Sequence, residues 1–500
     1  MRSCGVFMHI TSLPGPHGVG TFGAHAYRFV DFLRQAGQSF WQVLPLNPTG
    51  YGDSPYQSCS AFAGNYYLID LELLVRDGLL QQQELEAVSW SDTDECVDYG
   101  RLYENRLNVL RLAFGRFRDD AALDAFCTEN ESWLREFALY MALKENSGGK
   151  AWYQWEAPLK FRQSDALAKA RQNLQGQIRF YSFVQYLFFK QWNALKAYAN
   201  KNGIAIIGDV PIYVPFDSAD VWSAPELFLL NDALVPVEVA GCPPDAFTED
   251  GQLWGNPLYR WEVMAQDNYS WWRQRLAAAC ARYDMVRLDH FRGFESYWAV
   301  PYGAKTARNG KWRKGPGMAL FNALKTAVPE GKLIAEDLGL LTPQVLQLRK
   351  DADLPGMKVL QFAFDSPDSL YLPHNCVENS VCYPGTHDNM TTQQWLQSLP
   401  EQTAAYAKAY MLLSEQEGLV WGVIRTAMST VCRMCIVQLQ DYLALGSQAR
   451  MNCPGTQSPA NWSWRAGSSS FTPELAQKMR TLAERYGRVS KLVELSENGE

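Results

Sequence analysis

The sequence lacks a long apolar run, a cluster of basic residues and an apolar leader. No stretch of about 18 apolar residues is present, which argues against a membrane-spanning helix. The segment Met1–His9 lacks the apolar centre of an export signal. A net charge of −7 argues against a nucleic-acid-binding surface. We therefore expect a cytoplasmic protein that binds neither membranes nor nucleic acids.

Metal-ligand patterns are also missing. The chain has six histidines, and none of them forms an HxxxH or HExxH pair. Its eleven cysteines are scattered through apolar segments, and Cys432 and Cys435 form one CxxC without a matching second pair. A four-cysteine metal site needs two such pairs. We predict free thiols in a reducing compartment, no metal and no cofactor.

Aromatic residues, by contrast, are abundant. The 500 residues include 17 Trp, 24 Tyr and 24 Phe, or 13% of the chain. The overall hydrophobic content of 47% is ordinary for a globular protein with a large core. Most of these aromatic side chains are expected in that core, and a minority would stack against the flat apolar faces of sugars.

Eight short apolar segments, mostly separated by helical patterns, predict a parallel (β/α)8 TIM barrel of the α/β class. The predicted strands lie at 5–10, 39–44, 203–209, 284–289, 332–336, 357–362, 380–384 and 435–439. We expect one catalytic barrel over 1–500 with two insertions. The insertion at 51–200 would be mostly helical, and the one at 211–265 would contain an aromatic loop, 241–256, that acts as a lid. Residues 472–495 read as helical, so no C-terminal β-sandwich is expected.

Four carboxylates fall at the ends of neighbouring predicted strands: Asp209, Asp289, Glu336 and Asp388. The carboxyl ends of the strands carry the chemistry in such barrels. A lone aspartate at a strand end is usually a cap or turn residue. Four at corresponding ends favour a catalytic site, because glycosidic bonds are cleaved by one carboxylate and one carboxylic acid placed close together.

The strand spacing fits this chemistry. Adjacent strands lie about 4.8 Å apart, near the roughly 5 Å between the two carboxyl groups of a retaining glycosidase. Arg287 and Asp289 share one face of their strand, so the arginine would keep the aspartate ionised. Glu336 would need a raised pKa to keep its proton.

The loop Pro45–Tyr56 is rich in turn-forming residues and follows the second strand. Such a loop could be only a connector. Tyr51 and Tyr56 beside Ser54 also favour a surface that faces a ligand, and both readings stay open from the composition alone.

Four segments resemble the conserved regions of the α-amylase clan: Asp209–Val214, Val286–His290, Ala335–Gly339 and Gly385–Asn389. Further segments resemble one branch, the 4-α-glucanotransferases, also called amylomaltases or disproportionating enzymes. They are Thr11–Gly15, Pro45–Ser58, Phe62–Asn65, Trp254–Trp261, Met451–Thr456 and Asn461–Trp462. General amylases end the first region with Asn-His, whereas this chain has Tyr213 and Val214, and the branch it resembles also lacks that histidine.

The resemblance implies an activity. The enzyme would move segments of α-1,4-glucan from a donor maltodextrin, of the kind derived from starch or glycogen, to the 4-hydroxyl of an acceptor glucan or glucose. It implies Asp289 as nucleophile, Glu336 as general acid/base and Asp388 as a third carboxylate, with a covalent glucosyl-aspartate intermediate. The expected substrate-binding residues are Tyr51, Ser54, Tyr56, Asp209, Phe247, Trp254, Arg287, His290, Asp365, His387 and Asn461.

Two alternatives remain at this point. The chain could be an α-glucan hydrolase of the same clan, or a barrel that binds glucan without reacting. Maltose, maltotriose and longer maltodextrins are the expected partners, and the protein would be a monomer or a weak homodimer.

Overall fold

The computed structural model describes residues 2–50, 52–244, 249–339 and 341–489. Its centre is an eight-stranded parallel sheet that curls into a barrel. The strands are β1 (Ser3–Phe7), β2 (Phe40–Gln42), β3 (Ala205–Val210), β4 (Met285–Leu288), β5 (Leu333–Ala335), β6 (Gly356–Val359), β7 (Ser380–Tyr383) and β8 (Met434–Gln438). All eight coincide with predicted segments, so the predicted barrel is confirmed.

Seven neighbouring strand pairs are joined by parallel ladders, in the order β6-β7-β8-β1-β2-β3-β4-β5. Between β5 and β6 the Ala335 N–H donates to the Pro355 carbonyl at 2.9 Å. This bond brings the two edges of the sheet together, and a closed sheet has no exposed edge for other chains to pair with.

The strands form because they are short apolar runs buried on both faces, as parallel strands require. Phe7, Ile207, Ile334, Met357 and Ile436 come from five different strands and pack together in one cluster. A second, larger cluster holds the alternate residues of the strands, for example Val6 and Trp41, together with the helices. The barrel is therefore a packed core rather than a pore.

Helices surround the sheet and fill the segment between β2 and β3. Those between β2 and β3 are Leu71–Arg76, Gln82–Glu86, Tyr99–Arg116, Asp120–Glu129, Glu131–Asn146, Ala157–Lys160, Ser164–Asn173 and Gln175–Lys201. The others are Ala24–Gln35, Ala219–Ser223, Trp261–Gln266, Ser270–Arg282, Met318–Leu324, Pro343–Asp351, Thr392–Ser398, Glu401–Met411, Leu419–Ser429, Leu439–Tyr442 and Pro473–Arg485. In the described ranges, none of the helices has the length and apolarity needed to cross a bilayer.

A four-stranded antiparallel sheet lies beyond the ends of β3 and β4. Its strands, in spatial order, are Gln252–Pro257, Glu238–Cys242, Ser296–Pro301 and Lys311–Lys314. The prediction of an irregular loop over 241–256 is therefore wrong at both of its ends, which are strands. The register shifts between Val239 and Gly241, and this irregularity hides the alternation by which a strand is recognised.

Candidate active site

Three charged side chains from β3 and β4 form the centre of the candidate site. Arg287 is buried, and its Nη1 donates to Asp209 Oδ2 at 2.7 Å and to Asp289 Oδ1 at 2.9 Å. Asp209 and Arg287 are paired in register across the two strands. Asp289 follows the last residue of β4, and its side chain is 26% exposed. The arginine thus joins a buried carboxylate to one that reaches the solvent.

Tyr56 ties the loop after β2 to this cluster. Its hydroxyl donates to Asp209 Oδ2 at 2.9 Å. Its ring stacks on the His387 ring, with centroids 5.3 Å apart. Burial raises the pKa of Asp209 to about 6, and the charge of Asp289 adds to the rise, although Arg287 opposes it. The predicted ligand-facing loop therefore contacts the carboxylate cluster through Tyr56.

Glu336 lies next to Asp289 because Leu288 pairs with Ala335 and each acidic residue comes one position later. Its Oε2 accepts the backbone N–H of His290 at 2.8 Å, and its Oε1 accepts that of Leu338 at 3.0 Å. Burial raises its pKa to about 8, helped by the nearby charge of Asp289 and opposed by Arg287. At neutral pH this carboxyl therefore holds a proton.

His290 has a left-handed backbone, with φ 51°. This turn directs its N–H at Glu336, and its ring meets the edge of Trp254 with centroids 4.7 Å apart. Trp254 belongs to the small sheet, so the insertion after β3 reaches the mouth of the barrel. Burial lowers the pKa of the His290 imidazole to about 4, so it is neutral at physiological pH.

Asp388 follows β7 and is the most accessible carboxylate of the set, with 45% of its side chain exposed. Its Oδ1 accepts a hydrogen bond from Asn452 Nδ2 at 2.6 Å, and His387 Nε2 lies 3.3 Å from its Oδ2. Desolvation opposes ionisation, but His387 and the hydrogen bonds outweigh it and hold the pKa of Asp388 well below its usual range.

Other predicted residues lie outside this cluster of contacts or outside the described residues. Ser54 Oγ accepts the N–H of Tyr56 at 3.3 Å and so shapes its own loop. Asp365 is exposed beyond β6. The Asn461 amide bonds within its own loop, to Cys453 N and Thr456 O. Tyr51 and Phe247 lie outside the described residues.

Sequence reasoning missed three neighbours of Asp388 and His387. Asn452 holds Asp388, and Arg450 Nη2 donates to the Asp388 carbonyl at 3.0 Å. The Trp462 ring lies 5.9 Å from that of His387. They come from the segment after β8, which carries no periodic pattern. The motifs at 451–456 and 461–462 could have indicated Asn452 and Trp462, whereas Arg450 lies outside both motifs.

The arrangement suits acid–base and nucleophilic chemistry. In the described ranges, no group of three or more His, Cys, Asp or Glu side chains could hold a metal ion. A carboxylate paired with arginine and a protonated carboxyl on the next strand are the groups that cleave a glycosidic bond. Fold and site together define a barrel enzyme of the glycoside-cleaving kind.

Comparison with known proteins gives the family. A family model described as 4-alpha-glucanotransferase matches residues 8–469. A 4-alpha-glucanotransferase of Clostridium butyricum is 48% identical over 96% of this chain and 100% of its own length. That of Thermus thermophilus is 46% identical over 98% and 99%. The chain belongs to the 4-alpha-glucanotransferase family and is an enzyme that transfers segments of α-1,4-glucan between chains.

Solved structures agree. Amylomaltase from Streptococcus agalactiae in complex with acarbose superposes with a TM-score of 0.96 at 42% identity, covering 98% of this chain and 100% of that one. Amylomaltase from Corynebacterium glutamicum, at 20% identity, gives a TM-score of 0.77 over 98% of this chain and 75% of that one, and shows the same fold. The resemblance found in the sequence is confirmed.

Proposed function

We propose that Asp289 and Glu336 carry out the glucan transfer by double displacement. The observation that carries this proposal is the different environment of two adjacent carboxyls. Asp289 is paired with Arg287, while burial raises the pKa of Glu336 to about 8. When the surroundings of two neighbouring carboxyls differ in this way, one serves as the nucleophile and the other as the acid.

In the first step an Asp289 carboxylate oxygen attacks C1 of the donor sugar. The bond from C1 to the glycosidic oxygen breaks, and the Glu336 proton goes to that oxygen, which leaves with the released glucan. The donor segment remains as an ester on Asp289. The hydrogen bonds to Glu336 from His290 and Leu338 fix the acid in position and also hold the carboxylate that remains.

In the second step the 4-hydroxyl of an acceptor attacks C1. Its proton goes to Glu336, the ester bond breaks, and Asp289 returns to its ionised form. Water can react in the same way, so transfer requires that an acceptor be held in place and water kept out. We propose that the hairpin with strands Glu238–Cys242 and Gln252–Pro257 does this, because its Trp254 lies against His290.

Asp388 acts on the sugar that is reacting. Its low pKa keeps it ionised at every working pH, and Asn452 and His387 fix both oxygens. A partly exposed anion can accept hydrogen bonds from sugar hydroxyls and favours the positive charge that develops in the transition state. Tyr56, Asp209, Arg287 and His387 support it as a connected set.

The wider setting is also part of the proposal. We expect one catalytic unit with two insertions, acting on maltose, maltotriose and longer maltodextrins of starch or glycogen. A cytoplasmic location is supported by eleven free cysteines, since disulfides are rare in reducing compartments. We expect a monomer or weak homodimer that binds neither nucleic acids nor membranes.

Maltotriose as the only substrate tests the proposal. The wild type should give glucose and a ladder of longer chains, a hydrolase would give only shorter sugars, and an inert barrel would give no product. Asp289→Asn should abolish the ladder, and Glu336→Gln should nearly abolish it.

A neighbouring carboxylate provides the matched control. Asp337 accepts the N–H of Met357 and pairs with Arg349, away from the reacting groups. Asp337→Asn should therefore lower the melting temperature and keep the product ladder. A substantial ladder from Asp289→Asn would overturn the mechanism.

A further inference from the structure

An aromatic platform, defined as Tyr153, Phe216 and Tyr302, lies outside the carboxylate cluster. The rings of Tyr153 and Phe216 are stacked, with centroids 4.5 Å apart and an interplanar angle of 3°. The Tyr302 ring is 6.5 Å from Phe216 and nearly perpendicular to it, at 73°. The three residues come from separate segments, which follow the carboxyl ends of β2, β3 and β4. The platform is thus assembled at the barrel end that carries the active site.

The platform is held rigidly. Trp152 is fully buried, its Nε1 donates to the Phe216 carbonyl at 2.6 Å, and its backbone N–H donates to Asp217 Oδ1 at 3.2 Å. Asp217 also accepts from the Tyr140 hydroxyl at 2.7 Å and from Lys144 Nζ at 2.5 Å. Rigid groups lose little conformational entropy when a ligand binds to them.

The two tyrosines of the platform are exposed to solvent, although Trp152 and Asp217 hold the platform on its buried side. Tyr153 is 37% exposed and Tyr302 is 50% exposed. Exposed apolar surface that is held in one conformation is enriched at binding sites. A tyrosine offers a flat apolar face and a hydroxyl at its edge. That combination matches a sugar ring, which has an apolar face and hydroxyls around its rim.

One stretch of chain after β3 supports both the platform and the aromatic residues near the carboxylates. Trp254 contacts the His290 ring and lies 6.4 Å from Tyr213. Phe216 follows Tyr213 by three residues, a span of at most roughly 11 Å. Tyr213 itself is buried, so Trp254 and the platform are two separate aromatic surfaces that the same segment after β3 supports, and a long polymer bound at Asp289 can reach both.

We propose that the aromatic platform binds a distant part of a long α-glucan while another part of the same chain reacts at Asp289 and Glu336. This inference rests on the proposed function, because it takes the substrate to be a glucan polymer. The platform would favour long donors or acceptors over maltotriose, which is too short to occupy both places.

The first test compares amylose with maltotriose. In Tyr153→Ala/Tyr302→Ala, the kcat/KM for amylose should fall at least about fivefold relative to that for maltotriose, which corresponds to about 1 kcal/mol. Tyr153→Phe/Tyr302→Phe keeps the rings and should restore most of the ratio. Tyr103→Ala removes a tyrosine that is 75% exposed elsewhere and should leave the ratio at the wild-type value.

The second test measures binding without turnover. Amylose binding to Asp289→Asn, followed by calorimetry, should be at least about fivefold weaker when Tyr153 and Tyr302 are also replaced by Ala. Unchanged amylose binding together with an unchanged ratio of kcat/KM for amylose to that for maltotriose would overturn the inference. Equal losses of kcat/KM for both substrates would also overturn it, because the platform would then have only a structural role. Absence of a maltotriose ladder in the wild type would instead refute the proposed function, and the calorimetric test would still decide on the platform.

Discussion

Glu336→Gln should make the enzyme more stable at alkaline pH, although it removes the proposed general acid. The side chain is buried, and its pKa is raised to about 8 from an ordinary 4.5. A carboxyl of this kind favours the folded state fully below pH 4.5. That contribution is lost as the pH rises through 8. The buried carboxyl must then either ionise or keep a proton that the unfolded chain has already released, and both lower the free energy of unfolding.

The size of the effect follows from the pKa. The change from 4.5 to about 8 corresponds to about 5 kcal/mol of unfolding free energy between fully acid and fully alkaline pH, and about 4 kcal/mol of this is lost between pH 4.5 and pH 9. Glutamine has one carbonyl oxygen for the two backbone N–H groups of His290 and Leu338, so it gives up one hydrogen bond, or about 1 kcal/mol, at every pH. The variant should be less stable by about 1 kcal/mol at pH 4.5 and more stable by about 3 kcal/mol at pH 9.

Differential scanning calorimetry at both pH values and one scan rate provides the measurement. For a chain of this length, about 3 kcal/mol corresponds to a melting temperature roughly 3 °C higher for the variant at pH 9. Glu104→Gln removes an exposed carboxylate and should show no such change with pH. If the difference in melting temperature between Glu336→Gln and the wild type were the same at both pH values, the raised pKa of Glu336 would be wrong. Its proposed role as the acid would then be wrong as well.

Two further predictions concern the neighbours of the reacting groups. Replacing residues 243–251, which connect the two strands of the hairpin in sequence, by a short Gly/Ser linker should raise the share of hydrolysis among the products of maltotriose. An unchanged ratio of transfer to hydrolysis would count against a lid. Asn452→Ala removes a charge-assisted hydrogen bond to Asp388, so kcat/KM should fall about tenfold, as expected for the loss of about 1.5 kcal/mol. The exposed Asn108→Ala should keep wild-type kcat/KM.

The barrel could be predicted because each of its strands is a short apolar run followed by polar residues. The segment 284–289 is typical, since Val286 and Leu288 enter the core and Asp289 follows the last strand residue. The small antiparallel sheet was missed for a physical reason. Its two hairpins are local in sequence, but its central ladder pairs Glu238 with the distant Pro301, and local periodicity carries no signal of that pairing.

The residues of the site that lie at strand ends could be predicted from the sequence. Arg287 and Asp289 were expected on one face of their strand, and Nη1 of Arg287 donates a hydrogen bond to Asp289. Asn452 could not be derived in this way, because it reaches Asp388 across 64 positions of chain from an irregular segment. The contact between Asn461 and sugar stays a prediction, and in the structure the amide of this residue holds its own loop.

The left-handed turn at His290 has a consequence for redesign. The main chain of this turn, and not a side chain, joins the end of β4 to the Glu336 carboxyl. Inverting enzymes need a wider gap between the two carboxyls, so that a water molecule fits between them. Exchange of the His290 side chain alone would leave this hydrogen bond in place, so under the proposed mechanism the main chain of the turn helps to set the gap between the two carboxyls. Gly, Asn and Asp tolerate a left-handed backbone, so they are the replacements at position 290 that should keep this gap.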